Sequence, residues 1–381
     1  MEQRRLPGNS QWYHETQTSL PTQRAPLVPE AANVEDRFLL GLGQQANGEL
    51  HTLLQRAEPV MHASRDLYPL LFPDQLNTSL THTLTLYDRL CTALTVAQVA
   101  GVQRLCNHYA ARLNPLPGPD SSRESNRRLT QITEYARQLA GQPTLIDVAA
   151  LQRLDDAGLT APDIVTFNQI IGFVCWQARV VAGIHAFMAL PVRWIPGVAV
   201  PPDADASCLQ PGDWQPALPP LEPRYAAADQ LVAINSSVPL GLPEAACWLF
   251  AHDGRVLSGW SALLAALAAS QQTAETRLAA AVASRINGSA GCFYRYPEGA
   301  LRDALAEGVD RALHLATPVE QAVINLAAQL TRSPERFSAA HLQPLRDAGL
   351  SDDLVLAAVL SAAAASWGNR LMQGLGALTS H

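Results

Sequence analysis

One thiol in this chain stands beside groups that could put it to work. Cys292 is followed by Tyr294, Arg295 and Tyr296. A thiolate is the reactive form of cysteine, and a guanidinium close by favours that charged form. Arg295, three residues on, shares a helix face with the thiol if a helix starts there. The two phenols could donate hydrogen bonds to an oxygen undergoing reduction. The competing reading is a small buried hydrophobe, since free cysteine is usually inert core. Cys91, Cys175 and Cys247 sit in apolar helical runs and read as core, while Cys208 lies in a proline-rich stretch where exposure is expected. The chain has no HExxH, paired CxxC, GxGxxG or P-loop, and His185, His252 and His314 are too dispersed for a metal site. Neither a metal nor a cofactor is expected.

Bulk properties narrow the function classes. The chain has 381 residues, 48% of them hydrophobic, enough for two domains with sizeable cores. The net charge is −7, and the 27 cationic residues are all arginine, with no basic run. Nucleic-acid binding is therefore not expected, because phosphate recognition needs clustered cations. No stretch reads as the ~18–20 apolar residues that cross a bilayer. Arg4 and Arg5 are not followed by an apolar run, so no secretory signal is expected, and the six cysteines lack disulfide-framework spacing. Together these point to a reduced, cytoplasmic protein.

The elements that position Cys292 occur twice. Shifted by 191 residues, Ile132–Ile184 lies on Val323–Leu375 without a gap, and 15 of the 53 positions are identical. The best-matched core is LQRLDDAGL (Leu151–Leu159) against LQPLRDAGL (Leu342–Leu350), followed by Trp176/Trp367, Arg179/Arg370 and Gly183/Gly374. A long period occurring twice indicates a duplicated domain and not a solenoid. Periodicity of 3.6 residues dominates, and no alternating strand pattern is convincing, so the fold class expected is all-α. Helices are expected over Thr78–Arg112, Leu129–Ala140, Asp147–Asp156 and Ile164–Met188, with Asn114–Arg128 a loop. In the second copy they are expected over Ala226–Asn235, Pro243–Ala251, Ser258–Ser270, Thr273–Ile286, Pro297–Ala316, Pro318–Leu330, Ser338–Asp347 and Ser351–Leu375. Thr160 reads as an N-cap with Asp163 completing an acidic capping box, and Ser351 as its counterpart. Residues 1–33 read as a tail, 34–190 as copy 1, 191–223 as a connector and 224–381 as copy 2. Pro191–Pro223 holds nine prolines, a density that forbids regular structure.

A helix ended by Asn287-Gly288, a thiol at the mouth of the next helix, and a last helix with "GLS" before it and Trp367-Gly368-Asn369-Arg370-Leu371 within it resemble the AhpD-like superfamily. That group includes alkylhydroperoxidases and carboxymuconolactone decarboxylases. The resemblance covers most of Trp260–Leu375 and, through the repeat, about Pro69–Phe187. It implies tandem AhpD-like helical domains forming an intramolecular pseudo-dimer, in a chain that forms homo-oligomers. Active members resemble one another in a Glu, a CxxC and a His. There the second thiolate attacks the peroxide O–O bond, leaving a sulfenic acid and an alcohol, and the first thiol condenses with the sulfenic acid to a disulfide as water leaves. A thiol reductant then resets the pair.

Placed on that pattern, copy 2 has Ser289 and Cys292 at the two cysteine positions, Tyr296 at the His and Arg277 at the Glu. The resemblance thus implies a one-cysteine peroxide-reducing site, with Arg277 and Arg295 facing Cys292. Ser289 either meets the thiol or caps the helix, and capping is the preferred reading. Copy 1 has Leu90, Val102, Leu105 and Tyr109 at these positions, with Cys106 and His108 one residue out of register, about 100° round the helix. The expected partners are a small hydroperoxide and a thiol reductant. One alternative is a non-catalytic scaffold or small-molecule binder that keeps the fold. The other is an acid-base enzyme of the decarboxylase branch, with Arg277, Arg295 and Tyr296 holding and protonating a small lactone acid.

Overall fold

The computed structural model describes residues 31–194, 199–270 and 272–379. Most of the tail expected over residues 1–33 lies outside them. About 70% of the described residues are helical, with almost no strand among them, so the all-α class holds.

Local chemistry sets the helix boundaries. Thr85, Thr160, Thr273 and Thr317 are N-caps, each accepting a hydrogen bond from the backbone N–H three residues on, with the third residue's side chain bonding back. Ser351 caps Asp352–Gly374 through the Leu354 N–H. The repeated "DAGL" is a helix stop. Gly158 and Gly349 have φ of 83° and 86°. Leu159 N–H then donates to the Leu154 carbonyl and Leu350 N–H to that of Leu345, the outer bond of a Schellman C-cap. Gly101 and Gly288, with φ of 68° and 71°, end Leu86–Ala100 and Ala274–Asn287 in the same left-handed conformation.

Several expected elements differ. Thr78–Arg112 is two helices, Leu86–Ala100 and Gln103–Leu113, because Gly101 turns the chain. The loop expected over Asn114–Arg128 ends early, since Ser122 caps Arg123–Gly141. Pro297–Ala316 divides at Gly308 into Ala300–Glu307 and Val309–Leu315. The proline-rich connector includes one strand, β1 (Asp213–Pro216), paired antiparallel with β2 (Gly376–Thr379) at the end of the chain. Proline at the last position of a two-stranded edge costs little pairing.

Two helices, Ala161–Phe187 and Asp352–Gly374, are long and apolar enough to span a bilayer by length and composition, against the sequence expectation. Of their most apolar windows, 89% and 67% is buried within the protein. Core packing therefore accounts for their apolarity. They lie along each other, flanked by Leu86–Ala100 and Ala274–Asn287 respectively. The main core cluster runs from Phe38 to Ile184 and takes in Phe250, Trp260, Leu360 and Trp367 from beyond the connector, so one core crosses the boundary between the copies.

The contacts across that boundary are reciprocal. Arg179 donates from Nη1 to its own-helix Cys175 carbonyl at 3.0 Å and from Nη2 to the Thr331 carbonyl at 2.7 Å. Arg370 donates to the Ser366 carbonyl at 2.7 Å and to that of Ala140 at 2.5 Å. Arg179 and Arg370, like Ala140 and Thr331, are 191 residues apart. A Cβ on Gly183 would meet Val359, and one on Gly374 would meet Asn168, again equivalent pairs. Likewise Gly101 packs on Glu335 and Gly288 on Thr144.

Candidate functional site

The segment around Cys292 is a short turn and not a long helix. Ala274–Asn287 ends at Gly288, and the next helix, Ala290–Phe293, is only four residues. Ser289 is buried, but its side chain makes no cap hydrogen bond. The capping reading is thus corrected: its ψ of 88° departs from the extended conformation of the capping threonines. Cys292 is half-buried, packed against the edge of the main core.

The other candidates are dispersed. Arg295 lies beyond the helical turn and donates from Nη2 to the Gly241 carbonyl at 2.7 Å on an exposed surface. Arg277 is exposed, and its charge acts on half-buried Tyr296, whose pKa is raised mainly by burial. The Tyr294 hydroxyl donates to the Leu209 carbonyl at 2.7 Å. Among the described residues, no hydrogen bond joins the Cys292 thiol to Arg277, Arg295 or Tyr296; Arg295 meets Cys292 only through its backbone N–H, which donates to the Cys292 carbonyl at 3.3 Å.

The connector lies over the same turn. Ala204 N–H donates to the Ile286 carbonyl at 2.9 Å, and Arg285 returns a 2.6 Å bond to the Ala204 carbonyl. Arg332 forms a bidentate pair with Asp203 at 2.5–2.7 Å. The Gly288 Cα faces Ala204 and the Cβ of Cys208. Cys208 is therefore half-buried and not exposed as expected, because its proline-rich neighbours are docked.

Open space lies elsewhere. A cavity of about 460 Å³ sits at the equivalent turn of copy 1, lined in part by Val102, Arg104, His108, His185 and Glu335. Burial raises the Glu335 pKa, and burial with the nearby Arg104 charge lowers that of His185. His108 is buried between the Tyr68 hydroxyl, 2.6 Å from Nε2, and the Ala31 carbonyl, 2.5 Å from Nδ1. Desolvation holds its pKa down at about 4. Glu335 reaches this cavity from the other copy, so spacing along the chain gave no sign of it. A second cavity of about 230 Å³ lies where the two halves meet, between Arg179 and Arg370. In the sequence those arginines stand out only through the repeat.

No cluster of metal-ligating side chains occurs among the described residues. No known protein family and no curated protein matches this chain.

Proposed function

We propose that the chain is a non-catalytic member of the AhpD-like lineage. On this reading its two copies form an intramolecular pseudo-dimer, and it binds a small molecule where they meet. The observation that carries the proposal is the divorce between thiol and cavities. Cys292 sits on a four-residue turn with Arg295 bonded elsewhere and Arg277 in solvent. The two cavities are instead lined by residues from both copies. Reciprocal contacts at positions 191 apart support the pseudo-dimer, because an isologous interface requires that residue i meet j where j meets i. A nucleophilic thiol needs a base or cation in hydrogen-bond reach, and none among the described residues is bonded to this one.

The rival is one-thiol peroxide reduction at Cys292, whose half-exposure leaves it reachable. Treatment with one equivalent of an alkyl hydroperoxide, trapping of sulfenic acid with a dione probe and peptide mass analysis separates the two. The proposal expects Cys292 to be labelled no faster than a free thiol and no turnover with added thiol reductant. Stoichiometric labelling at Cys292 that disappears in Cys292→Ser would overturn it. Cys106 and Cys247 give a quiet background, since burial pushes their pKa values up to about 12 and about 11.

A further inference from the structure

We infer that the cavity between Arg179 and Arg370 binds a small oxyanion, a carboxylate or phosphate, held by both halves of the chain. This rests on the reading of the protein as a small-molecule binder and names the ligand class. The cavity is bordered by equivalent pairs from the two copies: Ala140 and Thr331, Pro143 and Pro334, Arg179 and Arg370. The connector closes one side through Pro202, Asp203 and Ala204.

Its electrostatics call for an anion. Arg179 and Arg370 are 4% and 1% exposed. Both give Nη1 and Nη2 to backbone carbonyls, and neither forms an ion pair among the described residues. The Nε of each has no partner among the described residues. Asn287 Nδ2 and Thr331 Oγ1, also on buried residues lining the cavity, likewise lack partners among the described residues. The residues that carry these four groups, three nitrogen donors and one hydroxyl, all line one space. Buried donors without acceptors are costly, and two buried like charges more so. Burial, and then the charge of Arg370, lower the Arg179 pKa to about 10 against a smaller opposing pull from Glu335, which leaves the Arg179 guanidinium charged at neutral pH. Of the acidic lining residues, Asp203 is held by Arg332 and Asp205 is exposed and bonded to the Ser207 N–H. Neither neutralises the central pair. Guanidinium edges match the two oxygens of a carboxylate or phosphate. At about 230 Å³ the space suits a metabolite-sized anion and is below the range of drug-sized pockets.

The experiment is calorimetric and thermal-shift titration of the full chain with sodium phosphate, malonate and chloride at matched ionic strength. Phosphate or malonate should stabilise the protein saturably, and chloride should not. Which of the two binds tighter identifies the ligand as phosphate-like or carboxylate-like. Arg179→Lys and Arg370→Lys should each weaken binding about tenfold or more, as loss of a charge-assisted fork implies. Should the lysine variants not fold, Thr331→Val and Asn287→Ala should still weaken it several-fold. Equal stabilisation by chloride, no saturable response to either oxyanion, or unchanged affinity in folded variants would sink the inference. Repeating the titration on Cys292→Ser keeps the two proposals separable: peroxide turnover at Cys292 would end the non-catalytic reading without touching anion affinity.

Discussion

At the scale of single residues, burial decides which titratable groups matter. His108 is neutral and fully enclosed. Arg112 donates to the Tyr68 hydroxyl at 2.9 Å, which leaves that hydroxyl to donate to His108 Nε2, and Nδ1–H to donate to the Ala31 carbonyl. The folded pKa of about 4 lies below the unfolded value of 6.5. Between the two, the unfolded chain binds the extra proton, so stability is complete above about pH 6.5 and falls as pH drops towards 4. The loss is at most about 3 kcal/mol. Denaturant titrations at pH 7 and pH 4.5 should show it, and His108→Gln should flatten that part of the profile. An unchanged slope in the variant would assign the pH dependence to other groups.

Elements are held together by a few buried polar residues that do several tasks. Asp163 completes the capping box of Ala161–Phe187 by accepting from the Thr160 N–H, and also accepts from the Thr83 and Leu84 N–H groups and the Thr83 hydroxyl. One carboxylate thereby fixes the start of one helix and the entry to Leu86–Ala100. Asp163→Ala leaves three backbone donors unsatisfied, and it should cost about 2–4 kcal/mol. Thr160→Ala removes only the cap and should cost about 1 kcal/mol. Chemical denaturation of both variants checks this order, and equal losses would contradict the shared role. The capping box was legible from Thr160 and Asp163 three residues apart. The link to Thr83 was not, because nothing local relates residues 80 positions apart. Cys292 shows the opposite limit. Helical spacing placed Arg295 on its face, but the turn ends at Phe293, and Arg295 found the Gly241 carbonyl instead.

For the whole molecule, the shared core makes the two copies one cooperative unit. Trp367 of copy 2 packs edge-on against Phe173 of copy 1, with ring centroids 5.7 Å apart, and donates from Nε1 to Gln169 Oε1 at 3.0 Å. Unfolding should therefore be a single calorimetric transition, in keeping with a core that neither half completes alone. A Cβ on Gly183 would lie 2.5 Å from Val359 Cγ1. Gly183→Ala should thus lower the transition temperature, for about 1–3 kcal/mol of overpacking, without splitting the peak. Two separated peaks in the parent protein would refute a common core.

The sequence by itself determined what is encoded within a few residues. Threonine caps, the two DAGL stops, the helical class and the 191-residue repeat are all local or self-similar patterns, since capping and amphipathicity act over one or two turns. Only the tertiary structure decided where charges and space came to lie. Arg179 and Arg370 were visible as a conspicuous pair, but their carbonyl partners belong to the opposite copy. Their cavity exists only because helices 191 residues apart close on each other and the proline-rich connector docks over the gap. Packing brings together groups that no spacing along the chain relates. The site that spacing favoured, around Cys292, and the site that packing built, between the two arginines, are therefore different places.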